Sequence, residues 1–417
     1  MGKFKLLEKA SMEFEKKLGL VFPEPEPEIK EIPKNKRPSD RKRIPVCWPS
    51  ITALEKEYVF RVVNDGWVSS LGPEVKKFEK EYAEKFGVKY AISCTNGTEA
   101  LHLAVASLGI GPGDEVILPT FTMVASINSV LYMGATPILV DADDHLNIDV
   151  KQIEQKITKN TKAIMPVHIY GCPCDMTEIM RLAKKYNLRV IEDVAESHGS
   201  FYKGKITGSI GDVGCYSFYA NKIITCGEGG MLTTNNEELA ERIRTLMNHA
   251  FSLERHFCHR LVGFNCRMTA LQAALGRAQL KRFDKILAKK EQLRNRYIQN
   301  LRISPRIYIP NRDPEEGIKS VCWMFGVQII EDYFPVKGNI KNKVRNLLAK
   351  RGIETRNFFV PMHLQPIQYK RFEGQRYPIS ESLMESGFYL PSAVDLNVDE
   401  IDYVCEHLLD IVEGIKI

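Results

Sequence analysis

Short apolar runs recur between residues 90 and 192, with helical segments between several of them, and this alternation constrains the fold more than any other feature. The runs are Tyr90–Ser93, Glu115–Leu118, Thr136–Val140, Thr161–Val167 and Leu188–Glu192. Strands that are apolar on both faces belong inside a parallel sheet, and the intervening helices cover its two sides. The expected class is therefore α/β, a large domain with a mostly parallel central sheet flanked by helices. Cys215–Phe218 and Gly230–Thr234 read as further strands, and Thr52–Asn64 and Val75–Phe86 as helices, the first capped by Thr52. After about residue 236 the pattern turns helical. Leu271–Gln299 reads as one long or broken helical stretch joining two lobes. Phe325–Ile330 and Ile340–Arg351 then suggest a smaller C-terminal α+β domain. A chain of 417 residues suits one large domain plus a smaller one. The expected division is an N-terminal extension over 1–44, a large domain over 45–285 and a small domain over 286–417.

The first 44 residues differ from the rest. Leu7 to Leu18 spaces Leu7, Phe14 and Leu18 along one helical face, and alternating Pro and Glu over Pro23–Glu28 forbid a helix. This segment is expected to be a partly disordered appendage. Much of the net charge of +6 lies in it, at Lys34, Lys36, Arg37, Arg41, Lys42 and Arg43. A solvated basic face is favoured there over a nucleic-acid site. No apolar run reaches the roughly 18 residues needed to cross a bilayer, so no membrane partner is expected. The ten cysteines are scattered, and Cys172 and Cys174 have no second pair at zinc spacing. Reduced thiols, no metal and a cytoplasmic location are the expectation.

The chemistry concentrates around Lys222, in Ser217-Phe218-Tyr219-Ala220-Asn221-Lys222 followed by Gly227-Glu228-Gly229-Gly230. A lysine held in a pocket beside an aldehyde can form a Schiff base. Ser217 can offer its hydroxyl to a phosphate. Asp193 follows an apolar strand, which puts it at the carboxyl end of the sheet, where ligands bind in open α/β folds. A carboxylate there can keep a pyridine nitrogen protonated, and Glu196 lies one short turn on. Asn96-Gly97-Thr98 ends a strand and opens a helix, presenting free N–H groups and a hydroxyl to an anion. Asn265 and Arg267 lie in a loop just before a long helix, able to carry polar groups to a neighbouring subunit.

Together these pieces resemble the sugar-nucleotide aminotransferases, which use pyridoxal 5′-phosphate (PLP) on the aspartate-aminotransferase-like fold type I. The resemblance runs from about Ile44 to the C-terminus. It is carried by Gly66–Gly72, Asn96–Leu101, Pro119–Thr122, Pro166–Gly171, Glu192-Asp193, Ser217–Gly230, Gly263–Gln272 and Ile353–His363. It implies that Lys222 bonds the cofactor and then shuttles a proton. Asp193 would pair with the pyridine nitrogen, and Glu196 would lie near the ring hydroxyl. Gly97, Thr98 and Ser217 would hold the phosphate. Asn265 would reach the phosphate of a partner subunit, so a homodimer would complete the site. Where many members stack an aromatic residue on the ring, this chain has Met123, with Phe121 as the other candidate. Trp67, Ser69, His168, Arg356 and His363 would be substrate-binding residues.

The implied reaction moves an amino group from L-glutamate to a nucleotide-linked 4-keto-6-deoxy sugar. Relatives that remove a sugar hydroxyl instead carry His at the Lys222 position, so the lysine favours amino transfer. The Trp67–Gly72 and Ile353–Phe358 segments look most like the perosamine-synthase branch, whose substrate is GDP-4-keto-6-deoxymannose and whose product serves polysaccharides such as O-antigens. A UDP- or dTDP-linked keto sugar is the alternative substrate. A non-catalytic binding homologue is the alternative class, disfavoured by an intact Lys222 and Asp193.

Overall fold

The computed structural model describes residues 24, 26–251, 257–310, 313, 315–334 and 338–415. The recurring apolar runs form a seven-stranded sheet. Its spatial order is Tyr90–Cys94, Gly230–Thr234, Val213–Ser217, Arg189–Asp193, Thr161–Ile164, Glu115–Pro119 and Thr136–Val140. Every neighbouring pair is parallel except the two made by Gly230–Thr234, which runs against both its neighbours. The sheet is therefore mostly parallel, as the alternation predicts. Its strands are buried almost throughout, with one core cluster holding Ile92, Leu118, Ile191 and Leu232 and another holding Ala91, Val194, Tyr216 and Met231.

The helix Ala53–Asp65 starts at Thr52, which forms a reciprocal capping box with Glu55, and stops at Gly66 in the left-handed region. The expected long helix is two: Ala270–Lys281 and Phe283–Leu301, parted at Arg282. Arg282 is drawn aside because its guanidinium holds the Ser50 carbonyl at 3.0 Å and the Glu55 carboxylate at 2.5 Å. The first of the pair packs on the helices Ala53–Asp65 and Pro73–Phe86. The second carries Leu293, Tyr297 and Leu301 into the core beneath a four-stranded antiparallel sheet. That sheet runs Ile307–Tyr308, Phe325–Ile329, Gly387–Leu390 and Arg356–Asn357. Among the described residues no helix is long and apolar enough to cross a membrane.

The N-terminal segment departs from the expected appendage. Residues 26–44 form a strap built into the lobe of the smaller sheet, where Ile32 and Ile44 are fully buried in its core. The strap's backbone pairs with Ala349, Gly352 and Glu354. Gly352 (φ +77°) leaves room for Ile32, whose Cγ1 would stand 2.3 Å from a Cβ at that position. Two isoleucines among prolines and charges make too short a signal to be read as core from sequence. Half of the basic cluster is paired: Arg37 and Lys42 with Glu31, and Arg41 with the buried Glu400 while lying over the Trp48 ring. The expected helix at Leu7–Leu18 lies outside the described residues.

Candidate active site

Parallel strands point their carboxyl ends to one edge, and the site assembles there. Gly230 pairs with Cys94 on one side and with Ser217 on the other. This register places the turn after Cys94 beside Ser217. A Cβ on Gly97 would stand 2.6 Å from Ser217 Cβ and 3.0 Å from its Oγ. Only glycine lets the N-terminus of the helix Gly97–Ser107 come so close to that hydroxyl. Asn96 caps the helix by accepting from the Glu99 amide at 2.9 Å. The result is a cradle of free amides beside two hydroxyls, those of Ser217 and Thr98, which suits a phosphate.

Asp193 ends its strand with its carboxylate buried. Oδ2 accepts from Ser126 Oγ at 2.9 Å and Oδ1 from the Ala195 amide at 3.1 Å. Ser126 is held in turn by Thr122 Oγ1 at 2.9 Å. Burial pushes the Asp193 carboxyl above its usual range, while its two hydrogen bonds and the positive charge of Lys222 pull it back. A buried carboxylate so placed can accept from a protonated ring nitrogen. Glu196 is also buried, and its Oε2 accepts from the Tyr170 amide at 2.8 Å. Tyr170 takes a left-handed backbone (φ 50°, ψ 24°), an uncommon conformation for a residue with a side chain, and it aims that amide at Glu196.

Lys222 is 12% exposed, with Nζ 4.0 Å from Glu196 Oε1 and 3.8 Å from the centre of the Trp323 ring. Burial lowers its ammonium below the ordinary lysine value, and Glu196 and Asp193 act in the opposite direction. Such a lysine gives up its proton more readily than an exposed one, as an amine nucleophile must. Met123 caps the next helix with its side chain 51% exposed, whereas Phe121 is fully buried against Tyr170, Phe358 and Phe359. Phe121 is thus committed to packing, and of the two candidates Met123 is the exposed one.

His168 and His363 depart from the expected substrate contacts. The Cys174 amide donates to His168 Nδ1 at 3.0 Å, which leaves Nε2–H to donate to Glu192 at 3.2 Å. Glu192 also accepts from the amides of Gly208, Ile210 and Gly211. The imidazole is a fully buried tie between two strand ends, with no nitrogen left for a substrate. His363 is likewise spent between Thr120 Oγ1 at 2.9 Å and Glu381 at 3.2 Å, and it packs on Tyr377. Arg356 lies about half exposed on the edge strand of the smaller sheet, paired with Glu354 at 2.8 Å. Trp67, 59% exposed, and Ser69 lie in a surface loop, and Asn265 is exposed in another. Arg267 reaches the side chain of Asn248.

Three contributors escape a reading of the sequence. Ser126 stands four residues past Thr122, on the inner face of a helix start, and that spacing was the available signal. Trp323 and its carbonyl's partner Lys290 come from distant segments with no motif of their own.

PLP fits this residue set. The glycine-lined cradle suits its phosphate, Asp193 its ring nitrogen, Met123 a ring face and Lys222 its aldehyde. Among the described residues no group of three or more His, Cys, Asp or Glu could hold a metal ion.

Residues 49–409 match the model of the DegT/DnrJ/EryC1/StrS aminotransferase family. The chain is similar to GDP-perosamine synthase of Caulobacter vibrioides, 44% identical over 88% of this chain and 97% of that one. It is also similar to GDP-perosamine synthase of Escherichia coli O157:H7, 42% identical over 88% and 98%. A solved aminotransferase from Psychrobacter cryohalolentis superposes with a TM-score of 0.84 at 34% identity, covering 88% of this chain and 98% of that one. The PLP form of a sugar aminotransferase from Streptococcus pneumoniae superposes at 0.83 with 28% identity, covering 90% and 100%. The chain belongs to the DegT/DnrJ/EryC1/StrS aminotransferase family and is a PLP-dependent enzyme.

Proposed function

We propose that this enzyme transfers the amino group of L-glutamate to GDP-4-keto-6-deoxymannose, giving GDP-perosamine. Sugar-nucleotide amino transfer follows from the family and its named relatives. The observation that carries the finer reading is 42–44% identity across 97–98% of two GDP-perosamine synthases.

When bound, PLP supplies an aldehyde and an electron-accepting ring. The rest is done by side chains of this chain. The amides of the Gly97 turn, with the hydroxyls of Thr98 and Ser217, anchor the phosphate. Asp193, oriented by Ser126 and the Ala195 amide, keeps the ring nitrogen protonated. With PLP bound, Lys222 would hold its aldehyde carbon through a neutral Nζ, water leaving, and once displaced by the incoming amine that Nζ would be placed to carry a proton away from the amine-bearing carbon. It acts first as nucleophile and then as general base. Glu196, immobilised by the Tyr170 amide, places a negative charge beside Nζ. Arg356 on the edge strand can take a sugar-linked diphosphate in a bidentate contact.

A homodimer completes the site in this reading, with Asn265 extending to the phosphate held by the partner. Its exposed position supports this, as does an apolar surface of Phe60, Val63, Trp67, Val68 and Leu71 on the same chain. The test is mass spectrometry of the reaction with L-glutamate and the GDP-, UDP- or dTDP-linked 4-keto sugar. A one-amino-group product from the GDP sugar supports the proposal. Turnover of only the UDP or dTDP sugar rules it out.

A further inference from the structure

Among the described residues Lys222 Nζ has no carboxylate at hydrogen-bond distance. Its nearest carboxylate oxygen is 4.0 Å away, and the face of Trp323 is 3.8 Å away. That indole is fixed on several sides. Its Nε1–H donates to the carbonyl of Asn221, the residue just before the lysine, at 2.7 Å. Its own carbonyl accepts from Lys290 Nζ at 2.6 Å. Its ring is 4% exposed and packs against Tyr170 and Tyr389. Trp323 precedes a strand of the smaller sheet, whereas Lys222 follows a strand of the larger one. One ring therefore ties the nucleophile and its loop to the other lobe.

We propose that Trp323 is a positioning residue for amino transfer, a platform on which the Lys222 ammonium rests whenever that nitrogen is not bonded to the cofactor. The inference rests on Lys222 being the nucleophile. The face of an indole carries negative potential and attracts a cation without a directed bond. A carboxylate in direct contact would hold the ammonium more firmly and resist its loss of a proton. An aliphatic wall would leave a buried cation uncompensated. The indole lies between these limits: it favours the cation yet leaves Nζ free to move. The other titratable groups facing Lys222 are Glu196 and Asp193 from the larger sheet and Cys47 from the segment after the strap, with His198 behind them. Lys290 is tied to the backbone carbonyl of Trp323. None of these changes when the ring alone is altered.

The experiment uses the full-length apoenzyme and follows its capture of added PLP by absorbance across a pH series. Capture requires the neutral amine: nitrogen bonds to the aldehyde carbon and water leaves. Replacing Trp323 with singly and then multiply fluorinated tryptophan keeps shape and hydrogen bond while draining the ring face. The expected result is a midpoint that moves to lower pH with each fluorine, and by about one pH unit in Trp323→Leu, with Trp323→Phe between. If Trp323→Leu does not fold, the isosteric fluorinated series still decides. A midpoint that stays put across the fluorinated series, with capture intact, overturns the platform and leaves Lys222 as nucleophile. Failure of the unaltered enzyme to capture PLP at any pH overturns both.

Discussion

Two buried lysines flank one tryptophan, and they have opposite lives. Lys290 is 2% exposed and donates to two backbone carbonyls, those of Trp323 and Ser392. Lys222 meets an aromatic face and a carboxylate at the outer limit of an ion pair. Burial lowers both ammonium groups from the ordinary lysine value. Desolvation is thus common to them and does not mark the nucleophile. The difference lies in what holds the nitrogen: directed bonds to backbone make Lys290 a strut, and soft, undirected partners leave Lys222 free to react.

The comparison predicts its own failures. The largest effect is at Lys222. Lys222→Arg keeps a cation and removes the nucleophile, so transfer should fall by about 10⁴-fold or more while the melting temperature changes little. Residual single-turnover activity within tenfold of the parent would break the contrast. Lys290→Met should behave in reverse. It strands two carbonyls, at about 1–3 kcal/mol each, so chemical denaturation should show a loss of that order with PLP capture retained. The pH sign is fixed too. A lysine whose folded value is depressed binds fewer protons folded than unfolded, so the native state gains stability as pH rises from that value to the ordinary one near 10.5. The parent should therefore gain on Lys290→Met over that window, and a flat difference would mean that the burial is not felt.

Gly97→Ala sharpens the site side of the contrast. Its methyl would press on Ser217 from 2.6 Å, and overpacking of about 1–3 kcal/mol should weaken PLP affinity roughly 5- to 150-fold. Fluorescence titration of the apoenzyme reads this directly. The smallest effect, per unit of pH, concerns His198, which lies behind Lys222. Its ring is fully buried, neither nitrogen has a hydrogen-bond partner among the described residues, and burial pushes it down from 6.5 to about 3. Below pH 6.5 the unfolded chain takes up a proton that the folded one refuses. Stability should fall by up to about 1.4 kcal/mol per pH unit, and His198→Leu should flatten that slope. An unchanged acid profile in the variant would remove His198 from the account.

Much of this architecture is legible along the chain because it is local. Parallel strands covered on both faces must be apolar at their centres, and Val116–Leu118, Leu139–Val140, Ala163–Ile164 and Val190–Ile191 are. Thr52 announces a helix because its hydroxyl answers an amide two residues on. Lys222, Asp193 and Gly97 declare themselves by the company they keep within a few residues. His168 and His363 show the opposite case. Each sits in a segment that resembles a site, yet Glu192, Cys174, Thr120 and Glu381 take up their nitrogens, and those partners lie 6 to 243 residues away. The strap escapes a local reading for the same reason. Ile32 and Ile44 are core residues only because Gly352 and Ile353 come to meet them.

By itself, then, the sequence determined the α/β alternation, the sheet edge that carries Asp193, and the lysine proposed as the nucleophile, since each follows from spacing over a few residues. The tertiary structure alone decided that Trp323 underlies Lys222, that Lys290 is a strut, and that two conspicuous histidines are structural. Those assignments depend on which distant atoms exclude water from one another, and contact across a hundred residues leaves no periodic trace in the chain.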